Sequence, residues 1–150
     1  MKIARSYLLP GTPEQVWELL NDPERLVKCL PGCERLEPDG PDRYKVALRI
    51  AVAAISGKYA GWVELSEKNP PKSMRMRLEG KGVPGFMKGE GRLELADKHG
   101  QTDVRYTGEA QVGGMIAAVG QRMIEAVARR IIQQFFESVA AQLKAGKENK

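Results

Sequence analysis

One histidine, His99, and two cysteines, Cys29 and Cys33, are all the imidazole and thiol this 150-residue chain can offer a metal ion. A structural zinc centre takes four such ligands and a catalytic one takes three plus water. The cysteines share the segment CLPGC with no third, and His99 falls in a polar turn, Lys98-His99-Gly100-Gln101. No metal site is expected, nor any covalent cofactor. Long apolar runs are missing too. The longest, Ile50–Ile55, has six residues, against the roughly 20 that a spanning helix needs. Met1-Lys2-Ile3-Ala4-Arg5-Ser6 leads into no apolar segment of the signal-peptide kind. A cytoplasmic chain with reduced thiols is the expectation. Aromatic residues are few, at 6%, and no nucleic-acid recognition motif accompanies the basic ones. Nucleic-acid binding is therefore not expected, although the net charge is +5.

What is present divides into helical and alternating stretches. Lys2–Leu9 reads as a strand. Thr12-Pro13-Glu14-Gln15 opens a helix, with Thr12 as N-cap, Pro13 at the first position and Gln15 closing a capping box. Asp22-Pro23-Glu24 opens a second short helix, ended by Pro31-Gly32. The period then becomes two, with apolar or small residues on one parity from Tyr44 to Val52, Tyr59 to Leu65, Met74 to Gly80, Met87 to Leu95 and Val104 to Val112. Such alternation marks strands with one buried and one wet face. From Met115 to Leu143 apolar residues recur at three- and four-residue steps, the signature of a long amphipathic helix, with Gly146 as its expected stop. The expected fold class is α+β, a curved antiparallel sheet of about seven strands wrapped around a long C-terminal helix, with two short helices after the first strand. One domain, 1–146, and a short polar tail, 147–150, account for the chain.

The segment GKGVPGFMKGEG, residues 80–91, spells the glycine pattern of a dinucleotide-binding turn. That turn needs a helix directly after the glycines. Here alternation resumes from Met87 to Leu95, so the match is one of spelling. By parity Gly61, Gly80, Gly89, Gly91, Gly108 and Ala110 face inward. Two readings follow. The small residues relieve crowding where the helix packs close, or they leave an apolar cavity between sheet and helix. The expected lining of such a cavity is Leu48, Ile50, Tyr59, Gly61, Met74, Met76, Leu78, Met87, Gly89, Gly91, Tyr106, Ala110, Val112, Ile116, Val119, Met123 and Val127, with Val83, Pro84 and Phe86 in a flexible loop at its mouth. Methionine adapts its shape readily and suits either a pocket or an irregular core. The two tyrosines offer hydroxyls to a polar head. Arg5 shares the inward parity of the first strand and either reaches solvent or anchors a ligand oxygen. No inward Asp, Glu or His is available as a general base. On the outward parity Lys45, Arg49, Lys58, Arg75 and Arg77 accompany Trp62, which makes either a solvated convex face or a peripheral contact with an anionic membrane.

Four stretches, PGTPEQVWELLNDPERLVKCLPGCERLE, GKYAGWVELSEKNPP, GEGRLEL and AQVGGMIAAVGQRMIEAVARRIIQQFFESVA, span nearly the whole chain. In this order they resemble the CoxG family, named for a subunit of aerobic carbon monoxide dehydrogenase, within the START/Bet v 1-like (SRPBCC) helix-grip superfamily. The resemblance implies a non-catalytic, hydrophobic-ligand-binding accessory protein. The implied ligand is a respiratory quinone or a lipid, and the implied partner is a molybdenum carbon monoxide dehydrogenase-type oxidoreductase to be brought to the membrane. An interaction module with a filled core, and less so an enzyme of the same fold such as an aromatic cyclase, are the alternatives.

Overall fold

The computed structural model describes residues 1–52 and 55–148. Strand β1 (Lys2–Leu9) leads into α1 (Pro13–Leu20) and α2 (Pro23–Cys29). Six strands follow: β2 (Cys33–Pro38), β3 (Arg43–Ile50), β4 (Gly57–Asn69), β5 (Ser73–Gly82), β6 (Gly85–Lys98) and β7 (Gln101–Gly113). The chain ends in α3 (Gln121–Glu148). Both short helices start as their sequences dictate. The Thr12 hydroxyl accepts from the Gln15 amide while the Gln15 side chain accepts from the Thr12 amide, and the Asp22 carboxylate accepts from the Glu24 amide.

The strands form one antiparallel sheet in the order β1-β7-β6-β5-β4-β3-β2. Every hairpin neighbour pairs with its successor, and β1 crosses to the far edge beside β7. The β5–β6 connection is a two-residue turn, because Gly82 already pairs with Gly85. The loop expected there is a two-residue hairpin turn, Val83 and Pro84, with Val83 exposed and Pro84 buried.

The last helix departs from expectation at both ends. Met115–Val119 is a separate 3₁₀ turn, and Gly120, at φ +95°, breaks the run before α3 begins. Gly is the residue that takes such a φ without strain. At the far end α3 passes through Gly146 to Glu148. A single glycine in a final turn costs only about 1 kcal/mol relative to alanine, too little to stop a helix already packed upstream. Half of the expected tail thus belongs to α3, and residues 149–150 lie outside the described residues.

The core is split. One cluster joins Leu9, Val16, Leu19, Leu20, Met74, Leu93, Leu95, Val104, Tyr106, Phe136, Val139 and Leu143. A smaller one joins Ile50, Ile55, Tyr59, Ile116 and Val127, with Met87, Val112, Val119 and Ile131 packed against it. The stripe of α3 serves both by drifting, since each four-residue step overshoots a full turn by about 40°. Val127 and Ile131 face the small cluster. Ile132, Phe136, Val139 and Leu143 face the large one, where α1 and α2 also dock.

The strand glycines divide by what surrounds them. A Cβ on Gly61 would collide with the Glu79 carbonyl oxygen of β5. A Cβ on Gly91 would lie 2.9 Å from the Thr107 carbonyl oxygen, and one on Gly108 3.0 Å from that of Glu90. These three sit where neighbouring strands close up as the sheet bends. Gly80 and Gly89 are different. Their nearest neighbours would be Met87 Cγ at 3.6 Å and the Glu109 carbonyl oxygen at 3.5 Å, both ordinary contacts. None of these five would touch α3, so crowding against the helix explains none of them. Gly61→Ala is expected to cost about 3 kcal/mol, as overpacking against backbone does. Gly80→Ala is expected to gain about 0.5 kcal/mol by restricting the unfolded chain. Urea unfolding of the two variants checks the contrast, and equal losses would remove the distinction between bending and space-leaving glycines.

Candidate functional site

Between the two core clusters the concave face of the sheet is only partly covered. Leu48, Gly61, Leu78, Gly89, Gly91 and Ala110 belong to neither cluster and are only half-buried, although all six point toward the helix side. Met76 and Met87 are half-buried at the margins. Alternation directs these side chains inward, where they remain only half-buried. The helix runs close to β1, α1 and α2, and its Phe136, Val139 and Leu143 share a cluster with Leu65, Met74, Leu93 and Leu95 of β4, β5 and β6. Gly80 and Gly89 add volume at the same place, having room for side chains they lack.

The other expected lining residues form the walls of this gap. Ile50, Tyr59, Ile116 and Val127 are buried at one end, with Val112 and Val119 beside them. Met74 and Tyr106 are buried at the other. Met123 does not join them. It is 45% exposed, because the whole first turn of α3, Gln121 to Met123, is uncovered. At the expected mouth Pro84 is buried under Gly57, while Val83 is 91% exposed and Phe86 lays its ring over Gly113 on the outer side. Two surface depressions lie elsewhere. One of about 380 Å³ sits between α2 and α3, and one of about 490 Å³ follows the bend of the convex face at Gly91 and Gly108.

The two tyrosines have different fates. The Tyr59 hydroxyl donates to the Ile55 carbonyl at 2.6 Å and so fastens the β3–β4 connection. The Tyr106 hydroxyl is buried and has no partner among the described residues. Burial pushes both phenols above their ordinary value of 10.0. The Tyr106 ring stacks against Tyr7 and Phe136, with centroids 6.4 and 5.5 Å away. Phe136 was not legible as a lining residue, because the four-residue rhythm ran through its neighbour Phe135. Arg5 lies directly opposite Tyr106 in the β1–β7 register but is exposed, since β1 is an edge strand.

On the convex face Trp62 is half-buried, with the Arg43 guanidinium 4.6 Å above its ring. Arg75 is shared by Glu67 and Glu90. Of the cations expected on this face only Arg75 is in an ion pair; Lys45, Arg49, Lys58 and Arg77 are in none among the described residues. Cys29 and Cys33 are free thiols whose pKa burial pushes up. No group of three metal-ligating side chains comes together among the described residues, and no helix there is long and apolar enough to cross a membrane.

Known structures place this architecture. A crystal structure of a conserved protein from Geobacillus kaustophilus matches with a TM-score of 0.94 at 39% identity, over 97% of this chain and 96% of that one. A protein from Chromobacterium violaceum matches at TM-score 0.72 and 23% identity, covering 95% and 96% of the two chains. A START superfamily protein from Mycobacterium smegmatis shares the fold at TM-score 0.75 and 10% identity, over 96% and 97%. No functionally curated protein matches the sequence. The fold is START-like, and residues 9–144 match the family described as the CoxG subunit of carbon monoxide dehydrogenase, so the chain belongs to the CoxG family.

Proposed function

We propose that the protein is a non-catalytic carrier of a hydrophobic small molecule, an isoprenoid quinone or a lipid, held between the sheet and α3 beside a molybdenum carbon monoxide dehydrogenase-type oxidoreductase. The observation that carries this reading is the partly covered middle of the concave face, where Leu78 is half-buried beside two glycines with room for a side chain. Apolar surface left facing such a gap is the usual character of a ligand site. The inward positions of the strands bring no carboxylate or imidazole to it, which favours carriage over acid–base catalysis. The oxidoreductase partner rests on the family name.

Exchange with a membrane fits the end of the sheet where α3 begins. Val83, Phe86, Met115 and Met123 are exposed there. Lys58, Lys81, Lys88 and Arg122 are exposed near the same turns, and none is in an ion pair among the described residues. The turns at the other end, around Asp39, Asp42, Lys68 and Asp97, mix both signs. Each cation near an anionic bilayer contributes about 1 kcal/mol, so the occupant favoured is an anionic lipid surface.

Two measurements test these readings. Organic extraction of the purified protein followed by mass spectrometry is expected to yield a near-stoichiometric quinone or lipid, and Gly80→Val should lose it while melting no lower than the parent. An empty extract, with no thermal shift on adding quinones or fatty acids, would leave an interaction module with no ligand. In sedimentation with phosphatidylserine-containing vesicles, binding should fall steeply as salt rises and should weaken in Phe86→Asp. Binding indifferent to salt would sink the electrostatic docking.

A further inference from the structure

The partnerless Tyr106 hydroxyl needs an explanation. Its residue is 9% exposed, and the oxygen itself is sealed from solvent without a hydrogen bond among the described residues. Folded proteins satisfy nearly all such groups, and an orphan calls for an occupant. The ring is held in a three-ring cluster with Tyr7 and Phe136, so the oxygen cannot swing elsewhere without breaking that packing.

Two arginines lie on the elements around it. Arg5 faces Tyr106 across the β1–β7 ladder. Arg129 precedes Phe136 by seven residues on α3, which puts it two turns away and within about 20° of the same side of the helix. Burial raises the Tyr106 pKa most and Tyr7 adds to the rise, while Arg5 and Arg129 pull it down. Neither arginine is in an ion pair among the described residues. The carboxylate one turn before Arg129, Glu125, accepts instead from Gln121 Nε2 at 3.2 Å. Further along this side of α3, Ile132, Phe136 and Ala140 are apolar and packed on the core, so Arg129 is a cation at the end of an apolar stripe.

We propose that the seam between β1 and α3 is a head-group site for an anionic amphiphile. The Tyr106 hydroxyl donates to one head-group oxygen, Arg5 and Arg129 supply the countercharge, and the apolar tail lies along Leu78, Gly80 and Gly89. This rests on the carrier reading and narrows it to a carboxylate or phosphate head. Two unpaired cations beside a buried donor favour that charge over a neutral carbonyl, because charge-assisted hydrogen bonds are the stronger kind. The hydroxyl is sealed from solvent, so entry requires the seam to open. Both arginines are exposed and free of carboxylate locks, which leaves them able to move aside and then close over the head.

The test compares oleate, oleoyl lysophosphatidic acid, methyl oleate and a short-chain ubiquinone by calorimetry on the full chain. At low salt the two anions should bind about tenfold or more tighter than methyl oleate and the quinone, the ratio expected for a charged hydrogen bond. Whichever anion is preferred names the head as carboxylate or phosphate. Tyr106→Phe, Arg5→Gln and Arg129→Gln should each weaken the anions by about tenfold and leave methyl oleate within about twofold. Tyr106→Phe keeps the ring stack and both arginines are exposed, so folding is preserved. Equal affinities for charged and neutral amphiphiles, or variants that bind the anions like the parent, would overturn the head-group site and leave the carrier standing. Failure of every amphiphile to bind would overturn both.

Discussion

At Gly61 the backbone of β5 approaches β4 so closely that a methyl group would collide with the Glu79 carbonyl oxygen. The rest of the molecule depends on that approach and on its counterpart at Gly91 and Gly108. A sheet of seven antiparallel strands with ordinary side chains throughout would twist but would not fold around a helix. Bending it at side-chain-free positions carries β1 round to face α3, while β2 and β3 rise on the other side. The helix then packs into two clusters, one around Ile50 and Tyr59 and one around Met74, Leu93, Leu95 and Tyr106. Two core clusters and a gap between them follow from this curvature. Packing at the ends stabilises the fold, so the middle need not be filled.

Much of this was legible in the sequence. The period-two parity identified the inward residues of β3 to β7, and the two helix starts were spelled by Thr12, Pro13, Gln15 and Asp22. The parity of Gly61, Gly80, Gly89, Gly91 and Gly108 pointed to a bend and a volume together. Only coordinates could separate them, because bending and space-leaving depend on the distance to a neighbouring backbone and not on residue type. The break at Gly120 was hidden by the apolar continuity of Met115–Val119, which satisfies a 3₁₀ turn as well as an α-helix. Arg129 and Phe136 were hidden for a related reason. A stripe that drifts around the helix axis presents two faces in succession, and a single periodic template follows only one.

Charge follows the same geometry. The convex face carries alternating basic and acidic residues that meet across strands, as Arg75 does with Glu90 and Arg43 with Glu64. Such exposed pairs add little stability, but they prevent the face from acting as a uniform cationic surface. Cations in no ion pair among the described residues include Lys58, Lys81, Lys88 and Arg122 near the turns beside Val83 and Met115, Arg5 and Arg129 beside the seam of β1 and α3, and also Lys45, Arg49 and Arg77 on the convex face.

The two glycines with room to spare carry the last step. Gly80 and Gly89 weaken their strands, since glycine in an extended segment loses more conformational freedom on folding than alanine, by roughly 0.5–1 kcal/mol each. At Gly61 the backbone contact offsets that loss by permitting the bend. At Gly80 and Gly89 no contact offsets it, because a methyl group would meet only ordinary neighbours. A protein that needed only a filled core would be more stable with alanine or valine at both. What the two glycines supply is therefore volume, placed against half-buried Leu78 and Leu48. Stability given up for volume at one spot is the trade a binding site makes, and that volume lies against the middle of the sheet and not at either packed end.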